Sequence, residues 1–104
     1  MKFIDTPKFG KPEVMTLSEG PRPEIKDTEV LIEVHAAGVN RPDVVQRQGL
    51  YPAPQGASPI LGLEVAGIVS EIGADVSGWK VGDKVCALTN GGGYAEYVAV
   101  PEGQ

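Results

Sequence analysis

Cysteine and histidine are almost absent from this chain: Cys86 and His35 stand alone among 104 residues. A single thiol excludes an internal disulfide. One thiol and one imidazole cannot assemble the cysteine and histidine sets that hold zinc, so no metal ligands are expected. Such usage fits a reducing compartment, and the expected location is the cytoplasm. Long apolar runs are missing as well. No stretch reaches the roughly 18 to 20 residues that spanning a bilayer requires, and the charged N-terminus lacks the apolar core of a signal peptide. Positive charge is the scarcer sign, with 9 Lys and Arg against 14 Asp and Glu for a net charge of −5. The basic residues are scattered, so neither a nucleic-acid footprint nor a polybasic membrane patch can be drawn, and neither partner is expected.

What the chain has in quantity is punctuation: 14 glycines and 9 prolines, spread along its length. That pattern reads as many short strands joined by turns, and the length suits one domain, residues 1–104. Met1 to Ile4 and Glu13 to Leu17 read as opening strands. Glu29 to Gly38 is the clearest strand, with Val30, Ile32 and Val34 on one face and Leu31, Glu33 and His35 on the other. It delivers Asn40, a good helix N-cap, with Pro42 in the first turn and the Asp43 carboxylate against the positive helix end, which predicts a short helix over Arg41 to Gln48 closed by Gly49. Tyr51 to Pro59, with three prolines, reads as an extended loop. Leu63 to Ile72 reads as a strand whose internal Gly67 marks a bulge or close backbone approach. Val81 to Leu88 and Tyr94 to Val100 complete the set, separated by Gly91-Gly92-Gly93. The fold class expected is mainly β, a partly open barrel with one short helix.

No cofactor fingerprint is present. Gly62 to Gly67 and Gly73 to Gly78 have glycines five apart, but neither pair precedes the Lys-Ser/Thr of a phosphate-binding loop. The triple glycine leads into a strand pattern, whereas a dinucleotide fingerprint must open a helix. Turns and bulges account for these glycines. Among chemistry-bearing residues, Tyr51 is the best proton donor, though as a loop aromatic it can equally pack on the barrel. Gln48 can contact a ligand or simply face solvent. His35 lies on a partly polar strand face and reads as exposed or locally satisfied. Cys86, between Val85 and Ala87, reads as a small buried apolar residue.

Two segments, Gly38-Val39-Asn40-Arg41-Pro42-Asp43 and Gly62-Leu63-Glu64-Val65-Ala66-Gly67, resemble the catalytic-zinc motifs of the medium-chain dehydrogenases with the ligands exchanged. A Cys belongs where Asn40 stands and a His where Leu63 stands. With Gln46-Arg47-Gln48-Gly49, Tyr51, Val81-Gly82-Asp83-Lys84-Val85 and Gly91-Gly92-Gly93-Tyr94-Ala95-Glu96-Tyr97-Val98, the whole chain resembles the N-terminal, GroES-like catalytic domain of a zinc-free member. The likeness is to the NADPH-dependent quinone oxidoreductases of the p53-inducible type.

The resemblance implies hydride transfer from NADPH to a quinone or similar activated carbonyl. The cofactor would be held mainly by a Rossmann domain that follows this region in family members. It implies Asn40 and Tyr51 as catalytic residues, with Asp43, Gln48 and Leu63 also lining the substrate and cofactor space. An amide can donate a hydrogen bond to a carbonyl oxygen gaining charge, though it is a weaker polariser than zinc and suits substrates already easy to reduce. Glu64 would anchor a nearby basic group, Arg41 being one partner. On this reading the 104 residues alone are inactive and an incomplete sheet edge favours a homo-oligomer. The competing reading is a co-chaperonin-like or other non-enzymatic interaction module of the same fold, because fold similarity alone does not fix function.

Overall fold

A computed structural model of the chain describes residues 1–50 and 52–104; Tyr51 lies outside the described residues. In chain order the elements are β1 (Lys2–Asp5), a 3-10 turn (Pro12–Val14), β2 (Thr16–Glu19), β3 (Glu29–Ala37), α1 (Arg41–Arg47), β4 (Glu64–Ile72), β5 (Lys84–Leu88) and β6 (Tyr97–Pro101). The architecture is mainly β with one α-helix, as the turn-rich sequence predicts. Strands β1 and β2 form an antiparallel ribbon, and the other four form an antiparallel sheet in the order β5-β4-β3-β6.

β3 is one of the two inner strands of the large sheet, and its alternation gives it two apolar faces at the start. Val30 and Ile32 join Val65, Val69, Val76, Val98 and Val100 in one buried cluster, while Leu31 is itself only 1% exposed. Burying such aliphatic side chains stabilises the fold by about 1.5–3 kcal/mol each before chain entropy is subtracted. Further along, the polar face surfaces: Glu33 and His35 are exposed and lie 3.8 Å apart, in keeping with the sequence reading of His35. Gly67 pairs with Val34 beside a register shift in the β3–β4 ladder. A Cβ on Gly67 would overlap the carbonyl oxygen of Glu33 and come within 3.0 Å of Ile32 Cγ2. The glycine thus marks the close backbone approach that an interior strand glycine suggests.

The ribbon is tied to the large sheet through the segment ahead of β6. Ile4 N–H donates to Tyr94 O at 2.8 Å, Glu96 N–H to Lys2 O at 3.0 Å and Val34 N–H to Glu96 O at 2.7 Å. The result is a pair of open sheets joined through this segment.

Four expectations need correction. The last strand runs over Tyr97–Pro101 and does not begin at Tyr94, since Ala95 makes only an isolated bridge to Phe3 before it. The second strand does not begin at Glu13: Pro12 starts a 3-10 turn in which Val14 and Met15 donate back to Lys11 and Pro12, and β2 runs from Thr16. The strand expected from Val81 starts at Lys84, because Asp83 N–H closes a turn on Lys80 O at 3.1 Å and Gly82 has a positive φ of 96°, outside strand geometry. Cys86 is exposed, not buried. Val85 and Ala87 face the core, so the residue between them must face outward.

Candidate functional site

Antiparallel pairing brings three strand ends to one end of the large sheet. Ala37 at the end of β3 pairs with Val65, and Glu64 at the start of β4 pairs with Leu88 at the end of β5. The connecting residues are bonded across this end: Gly38 N–H to Glu64 O at 3.1 Å, Thr89 N–H to Leu63 O at 2.9 Å and Gly93 N–H to Gly62 O at 3.1 Å. Both segments singled out in the sequence, 38–43 and 62–67, therefore meet here although 24 residues separate Asn40 from Glu64.

Asn40 holds the N-cap of α1 in an extended conformation (φ −124°, ψ 158°); its own side chain makes no cap hydrogen bond, and Asp43 supplies the return half of a capping box. Asp43 Oδ2 accepts the Asn40 N–H at 3.0 Å, which satisfies a backbone donor otherwise left over at a helix start. The Asn40 amide reaches across the sheet end, where Nδ2 donates to Glu64 Oε1 at 2.9 Å. Glu64 was expected to hold a basic partner such as Arg41. Arg41 instead lies exposed in the first turn of α1, and the carboxylate is engaged by the amide.

Asp43 is more than a charge at a helix terminus. It is 2% exposed, the single buried residue of α1. Besides Asn40, its Oδ2 accepts the phenol proton of Tyr94 at 2.7 Å. Among the described residues its Oδ1 has no hydrogen-bond partner. A cavity of about 120 Å³ between Leu61, Val44, Arg47 and Met15 adjoins this pair. Tyr94 was not singled out from the sequence. The available signal was a donor-bearing aromatic directly after tight glycines, since Gly62 and Gly93 pack so closely that a Cβ on Gly62 would sit 2.7 Å from Gly93 Cα and from Tyr94 N.

Burial first, and then the accepting Asp43 carboxylate, push the Tyr94 phenol well above its ordinary range. Its pKa is raised on folding, so the neutral phenol stabilises the native state at every pH below the unfolded value of about 10, and that contribution is lost as pH climbs beyond it. Tyr94→Phe should therefore remove part of the fall in stability between about pH 9 and about pH 11, read from urea midpoints. Identical slopes in the two proteins would show that the phenol does not carry this linkage.

The other sequence candidates separate. Leu63 is half-buried and lines a cavity of about 350 Å³ with Gln46, Pro52, Ala53, Thr89 and Asn90. Gln48, at the helix C-cap, is exposed and is not part of that lining; Gln46 occupies the place its neighbour was given. Asn40 stands with Asp43 and Glu64 at the helix start and is not a lining residue of the cavity. Tyr51 lies outside the described residues. The donor set at the two motif positions is an amide and an alkyl group. Among the described residues no three or more His, Cys, Asp or Glu side chains gather as metal ligands, so the residues present do not fit zinc.

Residues 26–104 match the family model described as the alcohol dehydrogenase GroES-like domain. Quinone oxidoreductase of Sus scrofa is 48% identical over 103 residues, covering 93% of this chain and 30% of that protein. Among solved structures, the human synaptic vesicle membrane protein VAT-1 homolog-like protein superposes with a TM-score of 0.89 at 35% identity, over 97% of this chain and 33% of the other. Escherichia coli quinone oxidoreductase complexed with NADPH gives a TM-score of 0.81 at 34% identity, over 97% of this chain and 31% of the other. The chain thus spans about a third of the length of the relatives it matches.

Proposed function

Since this chain belongs to the alcohol dehydrogenase GroES-like domain family, we propose that it is the N-terminal catalytic domain of an NADPH-dependent quinone oxidoreductase that works without zinc. The observation that carries the reading is the Asn40 amide, fixed at the sheet end by Glu64 at 2.9 Å, where zinc-dependent members place a thiolate. Relatives named quinone oxidoreductase support the activity. The NADPH complex of one of them supports the cofactor.

The chain fits only the reacting end of such a cofactor. A cavity of about 350 Å³ beside Leu63 lies at the small end of ligand pockets and suits one flat ring with a substrate edge. No stretch carries a dinucleotide fingerprint, so adenine and pyrophosphate contacts are assigned to a further domain, and the 104 residues alone are expected to be inactive. NADPH, when bound, supplies the hydride. Leu63, Ala53 and Pro52 provide apolar walls that hold the ring and exclude water. Asn40 stands at the helix start, outside this cavity's lining, and is assigned an N–H to a substrate oxygen that extends from the cavity toward it, which is electrostatic stabilisation aimed at the transition state. Tyr51, by its place in the sequence just after α1, is assigned the supply of a proton to that oxygen, with solvent helping to complete the transfer. A neutral amide polarises weakly, so the substrates are activated carbonyls, quinones foremost.

The test is reduced-nicotinamide consumption by a polypeptide carrying this domain together with a dinucleotide-binding domain, offered quinones or simple alcohols and aldehydes. Turnover with quinones and none with alcohols is expected. Alcohol oxidation without quinone reduction would remove the reading.

A further inference from the structure

Gly38 has no backbone reason to be glycine, since it is not among the residues with positive φ. Its reason is a side chain. A Cβ at Gly38 would overlap Glu64 Oε1 and lie 2.6 Å from both Glu64 Cδ and Cγ. The missing methyl is the space through which the Glu64 side chain passes over the end of β3. Glu64 then clasps the Gly38–Asn40 segment at two points: its backbone oxygen accepts the Gly38 N–H at 3.1 Å, and its carboxylate accepts Asn40 Nδ2–H at 2.9 Å. This carboxylate is exposed and packs into no core, so its conformation is not explained by burial.

We propose that Glu64 is a positioning residue for Asn40, that it fixes the orientation of the Asn40 amide, and that Gly38 is glycine in order to admit it. The proposal rests on the role given to Asn40 above. An asparagine amide has a broad, roughly two-fold χ2 preference, so an unheld side chain presents its carbonyl oxygen nearly as readily as its N–H. A carbonyl facing a developing oxyanion repels it. With one Nδ2 proton committed to Glu64, the second N–H and Oδ1 take fixed directions, and the donor is preorganised at no cost during the reaction. The carboxylate's own negative charge opposes the oxyanion. Its contribution is therefore orientation, and a neutral acceptor at the same place can supply it.

Two measurements test this. In the 104-residue chain, the Asn40 side-chain amide protons are observed by nitrogen-15 NMR. One proton shifted downfield by its acceptor is expected in the wild type and in Glu64→Gln, with the shift lost in Glu64→Ala and in Gly38→Ala. Identical Asn40 amide signals in wild type and Glu64→Ala would overturn the proposal whatever Asn40 does in catalysis. In the polypeptide with a cofactor domain, Glu64→Ala and Gly38→Ala should lower kcat on the order of tenfold with KM nearly constant, a loss in the transition state and not in binding. Glu64→Gln should recover most of it. Full kcat in both alanine variants would also overturn the positioning role. If Asn40→Ala is harmful while Glu64→Ala is silent, the orientation device alone falls; if Asn40→Ala is silent, the role given to Asn40 falls and the kinetic support for Glu64 with it.

Discussion

Asp43→Ala should destabilise the domain by about 3 kcal/mol, the largest loss expected from any single change near the site. For a domain of this size that corresponds to a fall in Tm of about 10–25 °C. The carboxylate is 2% exposed and its Oδ2 serves two donors, the Asn40 N–H at 3.0 Å and the Tyr94 hydroxyl at 2.7 Å. Truncation strands both donors and opens a void beside the cavity already present near Leu61 and Met15. An opposing effect sets the ceiling. Among the described residues Oδ1 has no partner, so removing the carboxylate also relieves an uncompensated desolvation cost and keeps the net below the sum of the two bonds, both of them part-buried. Asp43→Asn retains an acceptor and should lose less. Thermal and urea unfolding measure both variants, and a loss under about 1 kcal/mol in Asp43→Ala would show that the helix start is held by other contacts.

Asn40→Ala should separate chemistry from stability in the opposite way. The variant gives up only the side-chain bond to Glu64, since the Asn40 side chain makes no cap hydrogen bond; the stability cost should stay within about 1 kcal/mol, and the half of the capping box made through Asp43 survives. On turnover the effect should be far larger: kcat about 10²- to 10³-fold lower, the range found when one oxyanion donor is removed. KM should move little, because the interaction strengthens only as charge develops. Equal kcat in variant and wild type would leave Asn40 with capping alone.

The parts of the fold legible in the sequence are those governed by neighbours in the chain. β3 could be read because its apolar residues alternate over Val30, Ile32 and Val34, and α1 because Asn40, Pro42 and Asp43 are start signals within four positions of one another. Gly67 could be read because an interior strand glycine needs a reason. The strand starts at Glu13 and Val81 were misread because local turns delay them, whereas the misreading of Cys86 depended on facing. β5 carries small or apolar groups on both sides, so alternation could not tell whether Cys86 or the pair Val85 and Ala87 turns inward. Only the position of β5 beside β4, with Val65 and Val69 below it, settles that.

The site shows the same division. Charge logic paired Glu64 with Arg41, but helix geometry sends Arg41 into solvent and brings the Asn40 amide to the carboxylate. The bond from Tyr94 to Asp43 joins residues 51 positions apart, and nothing local in either segment announces it. Gln46, in place of Gln48, lines the cavity with Leu63 because the two glutamines lie about 200° apart around a helix of 3.6 residues per turn.

The central claim is that an amide, in place of a metal ion, stabilises the reacting oxygen at this sheet end. Its most direct test is quinone turnover with NADPH by a polypeptide containing this domain and a cofactor domain, before and after exhaustive chelation. Unchanged turnover is expected. Activity lost on chelation and restored by zinc would contradict the account.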